Sequence, residues 1–417
     1  MRTFIEENER EVLLILVTML AITRWWIPSV AGFENMYGAS HWVLSYDYGL
    51  IRRGLVGAIF KMWMPIVTIE GVHTVALVAY CTLLALLLVV FYVLIRNKEK
   101  NGRLFRIILL FCACPATLAL AAHGLGRFDL FLTILMFLIL TLLSIDKVLW
   151  LVPVLATAGM FVHESFMILY APTILATMIF LYGRKKSANL LAVFVVTVIC
   201  VAGSFVALYK FGNPPFKYDE FAPLLQERAA FPITELSIRE CYFSIRDHLD
   251  LASSSLYDVG SIVNVCMAVL MLSPMILILL NLWSHAVKNS GNLRKFCLMM
   301  FLATLSGLLL IPLATDYGRW LSAIVFCNFF AVFFLMSIDV FGAEELVEYS
   351  GRRYPFSYLL VFLTYLLFGP FHDWNPYPYM GHFVYTFMAI MPVLLFDVGF
   401  IMRWRAHRVG SEVPGTA

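Results

Sequence analysis

Gly183-Arg184-Lys185-Lys186 stands before NLLAVFVVTVICVAGSFVALY (residues 189–209), which reaches Lys210 without a single charge. An α-helix of about 20 apolar residues, rising 1.5 Å per residue, crosses a hydrocarbon layer roughly 30 Å thick. Inside lipid every backbone N–H and C=O must be bonded internally, so a lone apolar run of this length is read as a helix. Its two flanks differ. The side before it carries four residues dominated by positive charge, and the side after it opens a long stretch rich in acids, arginines and aromatic rings. That contrast sets the orientation, because basic residues are retained in the cytoplasm during insertion.

The same pattern extends in both directions. About twelve apolar stretches of spanning length are expected, at 12–30, 71–95, 104–122, 128–145, 148–163, 166–182, 189–209, 259–283, 295–314, 319–340, 356–370 and 383–402. The composition agrees: 61% of the 417 residues are hydrophobic and 14% are charged, against about 25% charged in an average soluble domain. The expected fold is all-α, a polytopic transmembrane helical bundle with both termini in the cytoplasm. The acidic start Glu6-Glu7-Asn8-Glu9-Arg10-Glu11 lacks the basic opening of a cleavable signal, so the first segment reads as a retained span.

Alternate gaps have different chemistry. Arg96 to Lys100, Gly183 to Lys186, His285 to Lys295, Arg352-Arg353 and Arg403 to Arg408 are basic and otherwise plain. The intervening gaps are Ser45 to Gly49 with Arg52-Arg53, His123 to Asp129, His163-Glu164, Lys210 to Asp258, Thr315 to Trp320, and His372-Asp373. By the positive-inside rule the second set faces outward, and that is where chemistry is expected. The net charge of +3 follows from this topology, and no basic stripe or zinc-finger spacing supports a nucleic-acid partner. Seven of the eight cysteines lie in apolar runs, with only Cys241 in an outward gap. They read as small hydrophobes, with no disulfide framework.

Two outward loops are long, 31–70 and 210–258. In the first, Leu50, Leu55, Ile59, Met62 and Ile66 recur near helical spacing, and Arg52, Arg53 and Lys61 supply a polar side. That predicts a helix lying in the membrane interface, anchored by Trp42 and Trp63. In the second, helical segments are expected around Leu224–Ala230 and Ile233–Leu251, and the loop is long enough to cover a substrate site.

Asp47 can serve as general base toward a hydroxyl, or ligate a divalent cation, or cap the helix that follows. Arg52 and Arg53 suit phosphate oxygens, which match a guanidinium fork, or lipid headgroups. In His123-Gly124-Leu125-Gly126-Arg127-Phe128-Asp129, Asp129 is either a second functional acid or the salt-bridge partner of Arg127. His163 and Glu164 either face a wet cavity or form a helix-end pair. The motif His-Glu-x-x-His is absent because position 167 is Met167, which removes the zinc-protease reading. Asp316 and Arg319 repeat the acid–glycine–arginine theme in Asp316-Tyr317-Gly318-Arg319. No phosphate loop, dinucleotide fingerprint or Gly-x-Ser-x-Gly elbow is present, so nothing points to an ATP-driven pump or a serine hydrolase. Nor does an arginine-rich voltage-sensing helix point to a channel.

This arrangement resembles the GT-C superfamily of integral-membrane glycosyltransferases. The residues that carry the likeness are Asp47 ahead of an interfacial helix, Asp129 between spans three and four, and the large loop between spans seven and eight. The resemblance implies a catalytic membrane module over 1–260, completed by further transmembrane helices over 261–417. It implies transfer of a sugar from a polyprenyl-phosphate donor to a glycan or lipid-linked acceptor, on the extracytoplasmic face of a bacterial inner membrane, in cell-surface polysaccharide synthesis. Asp47 takes the place of the family's first-loop catalytic acid and Asp129 that of its second-loop acid, with a divalent cation (Mg or Mn) as an optional ligand of the two. Arg52, Arg53, His123, Arg127, His163, Glu164, Arg228, Asp316 and Arg319 are the expected substrate and phosphate contacts. The chain departs from the family in having Asp47-Tyr48 where some branches have two adjacent acids. Two other readings remain: an O-antigen or exopolysaccharide polymerase or ligase, which would use Arg228, Arg239 and Arg246, and a flippase for lipid-linked glycans.

Overall fold

A computed structural model describes residues 36–96, 102–244, 246–247, 249–250, 259–311 and 316–338, with isolated positions at 12, 15–19, 253, 362 and 365. Every element among the described residues is helical, apart from one isolated bridge between Val67 and Ala229. The spans expected at 12–30, 356–370 and 383–402 lie outside the described residues except for a few positions, as do Thr315, His372 and Asp373.

The nine spans expected between 71 and 340 coincide with apolar helical segments over their described residues. Six are long and apolar enough to cross a membrane: Ile69–Tyr92, Phe166–Lys185, Ala188–Phe211, Ala268–Asn289, Gly291–Leu310 and Tyr317–Ser337. The other three, Ile107–His123, Asp129–Leu143 and Leu151–Val162, are shorter. Helix α1 (Tyr317–Ser337) lies at the centre. Its apolar window is 78% buried, against 28% for α2 (Ala188–Phe211). The outward side chains of α2, including Leu191, Val195, Ile199 and Val206, stay exposed, as expected of a helix facing lipid. Around α1 the rings of Phe111, Phe326, Phe329 and Phe333 interlock, with Phe111 and Phe329 centroids 4.4 Å apart. One polar clip crosses this core. Asn328 Oδ1 accepts from Trp283 Nε1 and from Thr304 Oγ1, each at 2.9 Å, so the buried amide is bonded as a low dielectric demands.

The segment 107–123 is broken where its sequence requires it. Pro115 has no N–H and its ring crowds the carbonyl four residues back, which belongs to Phe111. Thr117 leaves helical geometry, and its hydroxyl lies 2.5 Å from Phe111 O, in place of the missing donor. The chain resumes as a short helix, Leu120–His123, re-aimed toward the turn at 124–128.

The first long loop differs from expectation in a telling way. A helix does form, over Gly54–Phe60, and Ile59, Met62, Trp63 and Ile66 are exposed as an interfacial element requires. Arg52 and Arg53, however, precede the helix and turn inward, each less than a tenth exposed. Trp42 is also buried: its Nε1 donates to Gly126 O at 2.7 Å, and its ring packs on Phe60, Phe128 and Phe131. The reason is proximity. Gly57 sits so close to the carbonyls of Leu44 and Trp42 that a Cβ would overlap both oxygens, and this contact pulls the loop down onto the bundle. In the second long loop the helices are Tyr218–Gln226 and Glu235–Arg239, the first of them beginning earlier than expected with Asp219 and Glu220 in its first turn. Acids there complement the positive end of a helix dipole.

The gaps sort into two groups in space. Residues from the basic gaps and their neighbours meet one another: Lys185 pairs with Asp146 at 2.8 Å, Trp150 donates to Asn189, and Arg184 donates to Ile338 O. Residues from the acid-and-arginine gaps meet one another in a separate cluster.

Candidate functional site

Arg53 is the hub of that second cluster. Its backbone is left-handed, at φ 62°, a conformation that costs a non-glycine residue about 1–3 kcal/mol and persists only where surroundings dictate it. Here they do. Its guanidinium donates to Glu164 Oε1 at 2.8 Å, to Glu240 Oε2 at 2.7 Å, and to His41 Nε2 at 3.0 Å. Three chain segments far apart in sequence therefore meet on one side chain. Tyr37 donates to the other Glu240 oxygen, and the Arg127 guanidinium lies 5.1 Å from the centre of the Tyr37 ring. His163 Nδ1 accepts the N–H of Ser165 at 3.1 Å, so the neutral ring carries its proton on Nε2.

Beside the hub lies a second ion cluster. Arg319, near the start of α1, forks onto both oxygens of Asp129 at 2.9 Å each and reaches Asp316 through its remaining nitrogen. Asp129 thus pairs across the bundle with Arg319, and the local pairing with Arg127 is not what forms. Arg127, Asp129 and Arg319 line a small cleft that opens to solvent. Leu120, Leu130 and Phe326 make its apolar wall, and Thr133 and Tyr170 add hydroxyls, which bond each other at 3.1 Å.

Asp47 belongs to a third group. It lies in a single turn, Tyr46–Tyr48, and caps no helix. Its Oδ2 accepts from Lys61 Nζ at 2.5 Å and from Ser45 Oγ at 2.7 Å, and lies 3.8 Å from Arg228 Nη1. These partners have no member in common with those of Asp129. Hydrogen bonds from Lys61 and Ser45 hold the Asp47 carboxyl below the usual carboxylate range, so it is ionised at neutral pH.

The remaining expected residues are placed as follows. Arg52 donates to Phe243 O and ties the two long loops. Arg228 does the same through Val43 O and Ser45. His123 ends its short helix, half-buried. Sequence reasoning missed Tyr37, His41 and Tyr170 as members of the site, and gave Ser45, Lys61 and Glu240 no role in it. Among the described residues no three His, Cys, Asp or Glu side chains converge as a metal set would. Asp129 gives both oxygens to Arg319, so Asp47 and Asp129 do not fit a shared cation.

Charge in this cluster depends on pH. Burial, and then the Arg53 guanidinium, push His41 well below the ordinary imidazole value. His163, Arg127 and Arg319 add to that push, while Glu240 lies 4.0 Å from the ring. His41 is therefore neutral in the fold and charges near pH 6.5 when unfolded. A base whose folded value is depressed contributes stability that is full above its unfolded value and lost as pH falls below it. Burial pushes the Glu164 carboxyl up, but Arg53 overrides it and holds it well below its usual value, so its contribution disappears only in the acid range below about pH 4. The melting temperature should thus decline from about pH 6.5 to 5. His41→Gln, which still accepts from Arg53, should show a shallower decline. An unchanged slope in thermal scans of the detergent-solubilised variant counts against this assignment.

The chain matches no family model, no curated protein and no solved structure.

Proposed function

We propose that this chain is an integral-membrane glycosyltransferase of GT-C type. It moves a sugar from a polyprenyl-phosphate donor to a glycan or lipid-linked acceptor on the extracytoplasmic face of a bacterial inner membrane. The bundle has twelve spans with both ends in the cytoplasm, so that the acid-and-arginine cluster faces outward. One observation carries the reading: two arginines, Arg127 and Arg319, line the same cleft as the apolar side chains Leu120, Leu130 and Phe326. An anionic headgroup with a hydrocarbon tail has that same division.

The chemistry follows from the charges. The acceptor oxygen forms a bond to the anomeric carbon as the bond from that carbon to phosphate oxygen breaks, and the electron pair leaves with the phosphate. Negative charge therefore grows on the phosphate, toward which Arg127 and Arg319 of the cleft supply donors. One such donor is worth about 3–4 kcal/mol in a transition state. Asp129, bidentate on Arg319, aims that guanidinium and has no oxygen to spare. Asp47 is more open and ionised, and it takes the acceptor's proton. Trp42 donates to Gly126 O, which ties the loop bearing Asp47 to the turn that carries Arg127.

The test is turnover by protein in nanodiscs supplied with undecaprenyl-phosphate-linked hexose or pentose, read by mass spectrometry of the products. Transfer of one sugar, absent in Asp47→Asn with an unchanged melting temperature, supports the reading. A ladder of multi-unit products would establish the polymerase instead. Passage of intact lipid-linked glycan across vesicles without transfer would establish the flippase.

A further inference from the structure

Asp47 is held from one side only. Arg228 Nη1 donates to Ser45 Oγ at 2.6 Å, and Ser45 Oγ lies 2.7 Å from Asp47 Oδ2. A serine hydroxyl has one hydrogen and an arginine has only donors. The direction is therefore fixed: Ser45 accepts from Arg228 and must give its hydrogen to Asp47. Arg228 cannot drift, because its other contact on the same nitrogen is Val43 O at 2.7 Å. Its own carbonyl accepts the N–H of Val67 at 2.7 Å, and Ala230 N–H returns the bond to Val67 O. With Lys61 also on Oδ2, Oδ1 of Asp47 has no hydrogen-bond partner among the described residues.

The geometry points to Ser45 as a positioning residue. Oriented by Arg228, its hydroxyl pins Oδ2 of Asp47 and turns Oδ1 toward the acceptor hydroxyl, whose proton Oδ1 receives as the new glycosidic bond forms and the bond to phosphate breaks. This rests on the reading of Asp47 as the base. Neither Ser45 nor Arg228 touches the sugar in this scheme. Their effect passes through one carboxylate.

The experiment compares wild type, Ser45→Ala, Ser45→Thr and Asp47→Asn on undecaprenyl-phosphate-linked hexose across pH. A hydrogen bond to a charged group is worth enough that Ser45→Ala should lower kcat roughly 10- to 100-fold, with KM for the donor unchanged. Its acid limb should move to higher pH, because Asp47 loses a donor that favoured its ionised form. Ser45→Thr should restore both. Absence of wild-type turnover, or full turnover in Asp47→Asn, removes the base assignment and the role of Ser45 with it. Turnover that needs Asp47 overturns the Ser45 role alone if Ser45→Ala keeps kcat within twofold. So does a loss of activity whose acid limb stays in place while the melting temperature falls, since that is a structural defect.

Discussion

Arg53→Ala should strongly destabilise the end of the bundle where the acid-and-arginine gaps meet. The change leaves Glu164 and Glu240 facing each other across a vacated position, with His41 deprived of its donor. Breaking a buried ion pair by removing one partner costs about 3–5 kcal/mol, because an uncompensated charge remains behind. Glu164 keeps 26% of its side-chain surface and Glu240 17%, so water offsets part of this and the lower end is expected. Arg53→Lys keeps the charge but cannot serve three acceptors with a planar fork, and should fall between. The check is the melting temperature of detergent-solubilised protein. A double change, Arg53→Met with Glu164→Gln, should recover stability relative to Arg53→Met alone. If Arg53→Ala melts with wild type, the hub is not what joins these segments.

The second large effect is on activity. Arg319→Ala should reduce kcat on a polyprenyl-phosphate donor by about 100- to 1,000-fold, the usual cost of one preorganised donor at a developing charge. Arg319→Lys restores charge without the bidentate grip on Asp129, so it should recover the fold more fully than the rate. Initial rates for both variants, beside their melting curves, separate the two effects. Turnover by Arg319→Ala within tenfold of wild type would remove it from phosphate stabilisation.

Much of the bundle was legible because its signals are local. Apolar length locates each helix, and the alternation of basic with acid-and-arginine gaps predicts which connections share an end. The grouping of Lys185 with Asp146, and of Arg53 with Glu164 and Glu240, follows that alternation. The identities of partners were not legible. Arg53 finds Glu164 at a separation of 111 residues and Glu240 at 187, and Asp129 finds Arg319 at 190. Nothing in the neighbourhood of Arg52-Arg53 tells whether that pair meets lipid headgroups or buried acids. Trp42 shows the same limit, since an interfacial anchor and a core tryptophan look alike until the carbonyl of Gly126 is seen to accept its N–H. His41 did carry one readable sign: a lone histidine between Ser40 and Trp42 in the first long loop.

The stitch between Arg228 and the Ser45 turn spans 183 residues of chain, and this imposes an order on biosynthesis. At roughly 5–20 residues per second, the ribosome delivers Arg228 about 10–40 s after Ser45. The helices between them, from Ile69–Arg96 to Ala188–Phe211, are made meanwhile. A nascent chain arrested before residue 228 therefore holds its first loop without the Arg228 contacts to Val43 and Ser45, and the turn that bears Asp47 is locked late, during translation, when the second loop folds back over the first.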